Sequence, residues 1–209
     1  MIKNNDFSDI AYNRHSVRVF DKDYKIDRDE MLEILEEATK APSSVNLQSW
    51  RFVVVDSDAG KDKLRPLIKF NTSQNDTSSA MILIFGDMKC YEKTDEIYSK
   101  AVEAGFMTEE EKNKSVELFN EVYKSFSKEE MNDVVKIDSS LVAMQLMLVA
   151  RAHGYDTNPI GGFDKDNLAK TFELDSNRYV PVIILAIGKA NEEARNSVRL
   201  DIDSITKFE

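Results

Sequence analysis

Between Asp138 and Phe163 the chain reads DSSLVAMQLMLVARAHGYDTNPIGGF. Leu141, Val142, Ala143, Met144, Leu146, Met147, Leu148, Val149 and Ala150 leave almost no polar face. A helix that is apolar nearly all round is buried at the centre of a domain, so this stretch dictates where everything else packs. Asp138, Ser139 or Ser140 is the expected N-cap, and Gly154 stands where a left-handed C-terminal residue belongs. The chain then enters a turn containing Pro159, Gly161 and Gly162. A rigid helix that delivers a backbone-rich turn to a fixed place suits the bed of a cofactor.

Four apolar runs read as strands, near 17–20, 51–56, 81–86 and 181–188, with helices between them. RFVVVD at 51–56 and MILIFG at 81–86 have continuous apolar centres, the pattern of strands covered on both faces. Helices are expected over 5–14, capped by Asn5 or Asp6, and over 27–40, with Asp27 as cap, Glu30 in capping-box position and Met31, Ile34, Leu35 and Ala38 as the buried stripe. Shorter ones are expected over 59–69 and 164–173, the latter capped by Asp164. Residues 91–135 form a charged helical excursion, broken at Gly105-Phe106, with a capping box from Thr108 to Glu111 and Phe119, Val122, Tyr123 and Phe126 as packing residues. The pattern is one α+β or α/β layered domain over 1–209, with helices covering a central sheet.

The 209 residues carry a formal charge of −10, which excludes a general nucleic-acid or anionic-membrane binder, since both need a basic surface. No run reaches the roughly 18 apolar residues of a membrane span. A single cysteine, Cys90, excludes a disulfide scaffold, and with only two histidines it builds no zinc site of usual spacing. MIKNNDFSDI lacks a signal peptide's apolar core, so a cytoplasmic protein is expected. There is no P-loop, Rossmann fingerprint or nucleophile elbow. His153, ending the central helix, has a structural explanation in the helix dipole.

Against this acidic background Arg14-His15-Ser16-Val17-Arg18 is a local basic cluster. It reads either as a solvated turn pairing with surface acids or as a phosphate clamp, for which arginine's fork of donors is suited. Ser43 to Trp50 and Phe70 to Asn75 are polar, uncharged loops whose hydroxyls and amides suit a ring system or a ribityl chain. The first also reads as a simple capping loop. Together with the Gly-Gly turn and the late Arg199, these features suit a ligand with a phosphate, a polyol chain and a planar heterocycle. Flavin mononucleotide (FMN) has all three, and a cofactor of that kind carries the reactive chemistry itself. No catalytic side chain and no metal ligand are therefore assigned.

Four stretches resemble, in the same order, the motifs of the FMN-dependent nitroreductase family, and the resemblance spans essentially the whole chain. Arg14 to Arg18 resembles the N-terminal FMN motif, and Ala41 to Trp50 the second, with Ser49 where the family usually has proline. Asn158 to Phe163 resembles the third, and Ser197-Val198-Arg199-Leu200 the C-terminal phosphate contact. The similarity extends especially to NAD(P)H nitroreductases of Bacillus-type bacteria. It implies an α+β three-layer sandwich, a mostly antiparallel sheet flanked by helices, in an intertwined homodimer with two FMN molecules at the interface. It implies that Arg14, His15, Ser16, Arg18 and Arg199 hold the phosphate, ribityl and pyrimidine side. Pro42, Ser43, Ser44 and Asn46 would reach the partner's flavin. Pro159, Ile160, Gly161 and Gly162 would lie along the isoalloxazine, while Asn71 and Gln74 approach its pyrimidine edge. The implied reaction is ping-pong: NADH or NADPH reduces FMN at N5 and leaves, and a small-molecule acceptor such as a nitroaromatic or quinone takes its place. Gln74 and Ser197 stand where some relatives carry basic residues, which leaves Arg18 to support the reduced flavin by Coulomb attraction. Two other readings remain: a same-fold flavoenzyme with another reaction, reductive dehalogenation or flavin-consuming chemistry, and a non-catalytic flavin-binding redox module.

Overall fold

The computed structural model describes residues 2–209. In chain order it comprises α1 (Phe7–Asn13), α2 (Arg28–Ala38), β1 (Trp50–Val55), α3 (Asp58–Leu64), α4 (Thr72–Thr77), β2 (Ala80–Asp87), α5 (Thr94–Glu103), α6 (Glu109–Ser125), α7 (Lys128–Ala152), β3 (Asp156–Ile160), α8 (Leu168–Thr171) and β4 (Tyr179–Gly188). The strands make one antiparallel sheet in the order β1-β2-β4-β3. Because side chains alternate along a strand, β2 serves two cores. Ile82 and Ile84 pack with Trp50, Val142, Leu146 and Leu185 under α2 and α7. Met81, Leu83 and Phe85 pack with Val17, Leu64, Ile68 and Leu168 on the other face. The result is a three-layer α+β sandwich.

β2 is buried along its whole length, as its sequence predicts, but β1 is an edge strand and its middle residues are only half-buried. An unbroken apolar run therefore did not mean two covered faces at 51–56. The run 17–20 is not a strand: Ser16 and Phe20 each make an isolated bridge, to Thr157 and Ala190. Its apolar residues serve the core instead, as Val17 and Phe20 wedge into the second cluster. The loop expected at 70–75 is largely helical, since a 3-10 turn at Lys69–Asn71 leads into α4. Pro159 and Ile160 belong to β3 rather than to a turn, and β3 is the other edge, where proline is tolerated in a sheet.

The central helix is longer than its apolar stretch. It begins after Ser127, whose hydroxyl accepts the Glu130 N–H at 3.2 Å while the Glu130 carboxylate accepts the Ser127 N–H at 2.7 Å. Asp138, Ser139 and Ser140 thus lie inside α7, not at its cap. The charged turns from 128 to 135 belong to this helix, so the excursion ends near Ser127. Met131 and Val135 bury themselves with Leu47, Cys90 and Tyr123 in a third core beneath α6, against which Phe119, Val122 and Phe126 pack. The Thr108–Glu111 capping box of α6 forms as expected. Gly154 has φ +78°, the left-handed conformation its position requires.

Glu30 does not close a capping box on Asp27. Its carboxylate instead accepts the Tyr155 hydroxyl at 2.6 Å and lies 3.4 Å from His153 Nδ1. His153 is fully buried, with Nε2 3.1 Å from Glu37, so it ties the end of α7 to α2 as well as sitting at a helix terminus. Asp164 receives the Asp166 and Asn167 N–H groups, and the helix expected from it shrinks to α8. Among the described residues no helix is long and apolar enough to cross a membrane.

Candidate active site

A cleft of about 790 Å³ brings together Arg14, His15, Ser16 and Arg18 with Asn71, Gln74, Pro159 and Arg199. Three chain segments build it. After α1 the backbone turns extended at Arg14, and the Val17 N–H donates to the Thr157 carbonyl at 3.1 Å. With Val17 pinned in the core, Ser16 and Arg18 project the other way, into the cleft. Asn71 and Gln74 are one helical turn apart, and Gln74 Nε2 donates to Asn71 Oδ1 at 3.2 Å. Asn71 Nδ2 in turn donates to the Ile68 carbonyl at 3.3 Å, which fixes the amide pair.

The third segment is the tail beyond β4. The Asp21 N–H donates to the Lys189 carbonyl at 2.8 Å and the Asn191 N–H to the Val19 carbonyl at 3.0 Å. Glu192 Oε1 accepts the Arg18 N–H at 2.6 Å and the Val19 N–H at 3.2 Å. This clasp leads Arg195, Asn196, Ser197 and Arg199 along the cleft. Glu192, Arg195 and Asn196 were not singled out from sequence, because the tail is polar and aperiodic; its arginines were the only available signal.

Four arginines and one carboxylate therefore line a cleft in an acidic chain. Arg14 Nη1 is buried without a hydrogen-bond partner, and so is Thr157 Oγ1. A buried guanidinium N–H lacking an acceptor carries an uncompensated desolvation cost, so an anion is the complementary ligand. Phe70, 95 % exposed, stands at the same cleft as an apolar surface. At Gly161 and Gly162 an added Cβ would meet no protein atom within 4 Å, and neither residue has positive φ. The space over these glycines is thus open to a flat ligand. The Ile160 side chain faces the second core, which leaves only its backbone for such a contact. Four arginines suited to a phosphate, a fixed amide pair and open space over a Gly-Gly segment fit the chemistry of FMN.

Pro42, Ser43, Ser44 and Asn46 do not line this cleft within one chain. They belong to a loop in which Val45, Asn46 and Gln48 have φ of 40°, 58° and 48°. The loop is held from below by Asp138. Its Oδ1 accepts the Ser44 N–H at 2.9 Å and the Ser44 hydroxyl at 3.0 Å, and its Oδ2 accepts the Ser49 hydroxyl at 3.0 Å. Ser43 Oγ accepts the Gln48 N–H at 3.0 Å. Asp138 was read as a helix cap; a carboxylate directly before the helix's long apolar run was the signal of its real role.

The sequence model of the nitroreductase family matches residues 11–189. YdgI of Bacillus subtilis, provisionally named an NAD(P)H nitroreductase, is 53% identical over 208 residues, covering 100% of both chains. The CLA biosynthesis enone reductase of Lactiplantibacillus plantarum is 43% identical over 98% of this chain and 95% of its own. A solved structure from Exiguobacterium sibiricum, provisionally named a nitroreductase and in complex with FMN, matches with a TM-score of 0.96 at 50% identity over 100% of both chains. On the family match and these full-length relatives, the chain belongs to the nitroreductase family.

Proposed function

We propose that this chain is an FMN-dependent NAD(P)H oxidoreductase that passes reducing equivalents from NADH or NADPH to small acceptors such as nitroaromatics or quinones. The observation that carries the reading is Arg14 Nη1, buried and unpaired beside Arg18, Arg195 and Arg199 in a cleft of flavin size. Arg14, Arg18 and Arg199 would hold the phosphate, with His15 and Ser16 toward the ribityl chain. Asn71 and Gln74 would face the pyrimidine edge, and the backbone from Pro159 to Gly162 the ring. When bound, FMN supplies hydride chemistry. The chain's own work is to bind it, orient it and keep one face open, which donor and acceptor would use in turn in ping-pong fashion. The enone reductase among the relatives favours a second acceptor class, activated carbon–carbon double bonds.

The working unit is proposed to be a homodimer. Ile137, Leu141 and Met144 lie on one face of α7 and are 61%, 42% and 43% exposed. In the tail, Val198, Leu200, Ile202 and Phe208 are also exposed. Apolar surface on this scale marks an interface, and a second copy of the chain covers it. In that arrangement Pro42, Ser43 and Asn46 reach the partner's cofactor, as the single chain leaves them outside its own cleft. A cytoplasmic location accords with one free, buried thiol. The purified protein should be yellow, release FMN on denaturation and sediment as a dimer. A colourless monomer that takes up no added FMN contradicts the assignment.

A further inference from the structure

A second cleft, of about 630 Å³, lies between α5 and the stretch from Asn46 to Arg51. It shares no lining residue with the first. Its charges are Lys40, Arg51, Lys93 and Lys100 against a single acid, Glu96, in a chain whose net charge is −10. Glu96 lies 2.8 Å from Lys93 and 3.5 Å from Lys100, so one carboxylate is shared by two ammonium groups. Lys40 makes no ion pair among the described residues. Arg51 is held rigid: its Nη1 donates to the Gln48 and Trp50 carbonyls at 2.9 and 2.7 Å, and Nη2 pairs with Asp87 at 3.1 Å. The cleft thus keeps a surplus of positive charge after its internal pairs are counted.

Apolar side chains stand among these charges. Ile97 and Ala101 line the cleft one helical turn apart on α5, and Phe106, 84 % exposed, stands beside them. A surplus of positive charge beside apolar side chains complements a molecule with an anionic group on an apolar body, because the charge is attracted while the body removes exposed carbon from water.

We propose that this cleft is a substrate-anion subsite, which holds the carboxylate of an acidic acceptor or the pyrophosphate of the nicotinamide donor. Its place in turnover rests on the reading above: Asn46 lines this cleft and is the residue proposed to reach the partner's flavin. Anion binding itself does not depend on that reading. The subsite would select among acceptors by charge.

Trp50, the only tryptophan, lines the cleft and reports on it directly. The full-length protein is titrated by calorimetry and Trp50 emission with two matched pairs: benzoate against benzyl alcohol, and ADP-ribose against adenosine. The expected result is saturable binding of the anion in at least one pair, weaker in high salt. In the Lys40→Ala/Lys100→Ala double variant that anion should bind on the order of five- to tenfold more weakly, as two partly solvated ion pairs are lost. A benzoate response assigns the subsite to the acceptor, and an ADP-ribose response to the donor. Neutral and anionic members binding alike, no saturable binding, or an unchanged double variant overturns the proposal. Flavin content is measured on the same samples: wild-type protein that holds no FMN defeats the cofactor reading and leaves the anion result standing by itself.

Discussion

The Asp138 carboxylate, buried inside α7, accepts both the backbone N–H and the hydroxyl of Ser44, at 2.9 and 3.0 Å. With Ser49 on its other oxygen, it anchors a loop whose own backbone includes three left-handed non-glycine residues. Such conformations persist only where the surroundings impose them. The Ser49 hydroxyl, 3.0 Å from Oδ2, completes the acceptor's partners.

Asp138→Ala should therefore act on both stability and cofactor. Leaving the Ser44 and Ser49 donors without an acceptor costs about 1–3 kcal/mol. Urea unfolding checks this, and flavin content after gel filtration checks the loop's service to the cofactor. A variant as stable as the wild type, with full flavin, would show that the loop holds itself.

Arg14→Ala and Arg199→Ala should each weaken FMN binding by about 1.5–3 kcal/mol, the worth of a charged hydrogen bond. Arg14 should show the larger effect, since Arg199 Nη1 already donates to Ser197 Oγ and the Val198 carbonyl, both at 2.9 Å. Quenching of flavin fluorescence on binding gives both affinities. Equal affinities in wild type and both variants refute the phosphate clamp.

Much of this was legible in the chain itself. The apolar run of α7, the strand at 81–86 and the Thr108 capping box follow from local pattern, because burial and capping leave periodic or short-range signatures. The cluster at Arg14–Arg18 was legible from charge contrast alone. What stayed hidden was long-range: that Asp138 points at Ser44, that Glu192 clasps Arg18, and that His153 bridges two carboxylates of α2. Each joins residues far apart in sequence, and a polar side chain carries no mark of its distant partner. The half-exposure of β1 was hidden for a related reason, since position at a sheet's edge is a property of the whole topology.

Glu30 predicts a pH dependence. Partial burial disfavours its ionised form, but hydrogen bonds from Tyr155 and His153 and the charge of Lys3 outweigh that and hold its carboxyl below the ordinary range. Burial and the bond to Glu30 push the Tyr155 phenol upward, in keeping with its role as donor. A carboxyl depressed in the folded state contributes stability that is present above its unfolded pKa and lost as pH falls through the folded value. Glu30→Gln should thus lower Tm most near neutrality, with the gap to wild type closing below about pH 4. Thermal melts across that range decide it, and a gap that widens in acid has the wrong sign.

Cys90 should be inert in the folded protein. Burial, reinforced by the charges of Asp87 and Asp138, pushes its thiol up to about 12, and the reactive species is the thiolate. A thiol reagent at pH near 8 should label it only after denaturant is added. Rapid labelling of the native chain would place the thiol at an accessible surface and contradict the third core.

The central claim is that this chain holds a flavin that a nicotinamide donor reduces and a small acceptor reoxidises. Anaerobic addition of NADH, and separately of NADPH, to the FMN-loaded protein tests it most directly. The account predicts that the visible flavin band bleaches with at least one donor and returns when a nitroaromatic or quinone is added. A bound flavin that neither donor bleaches would contradict it and leave a flavin-binding module in its place.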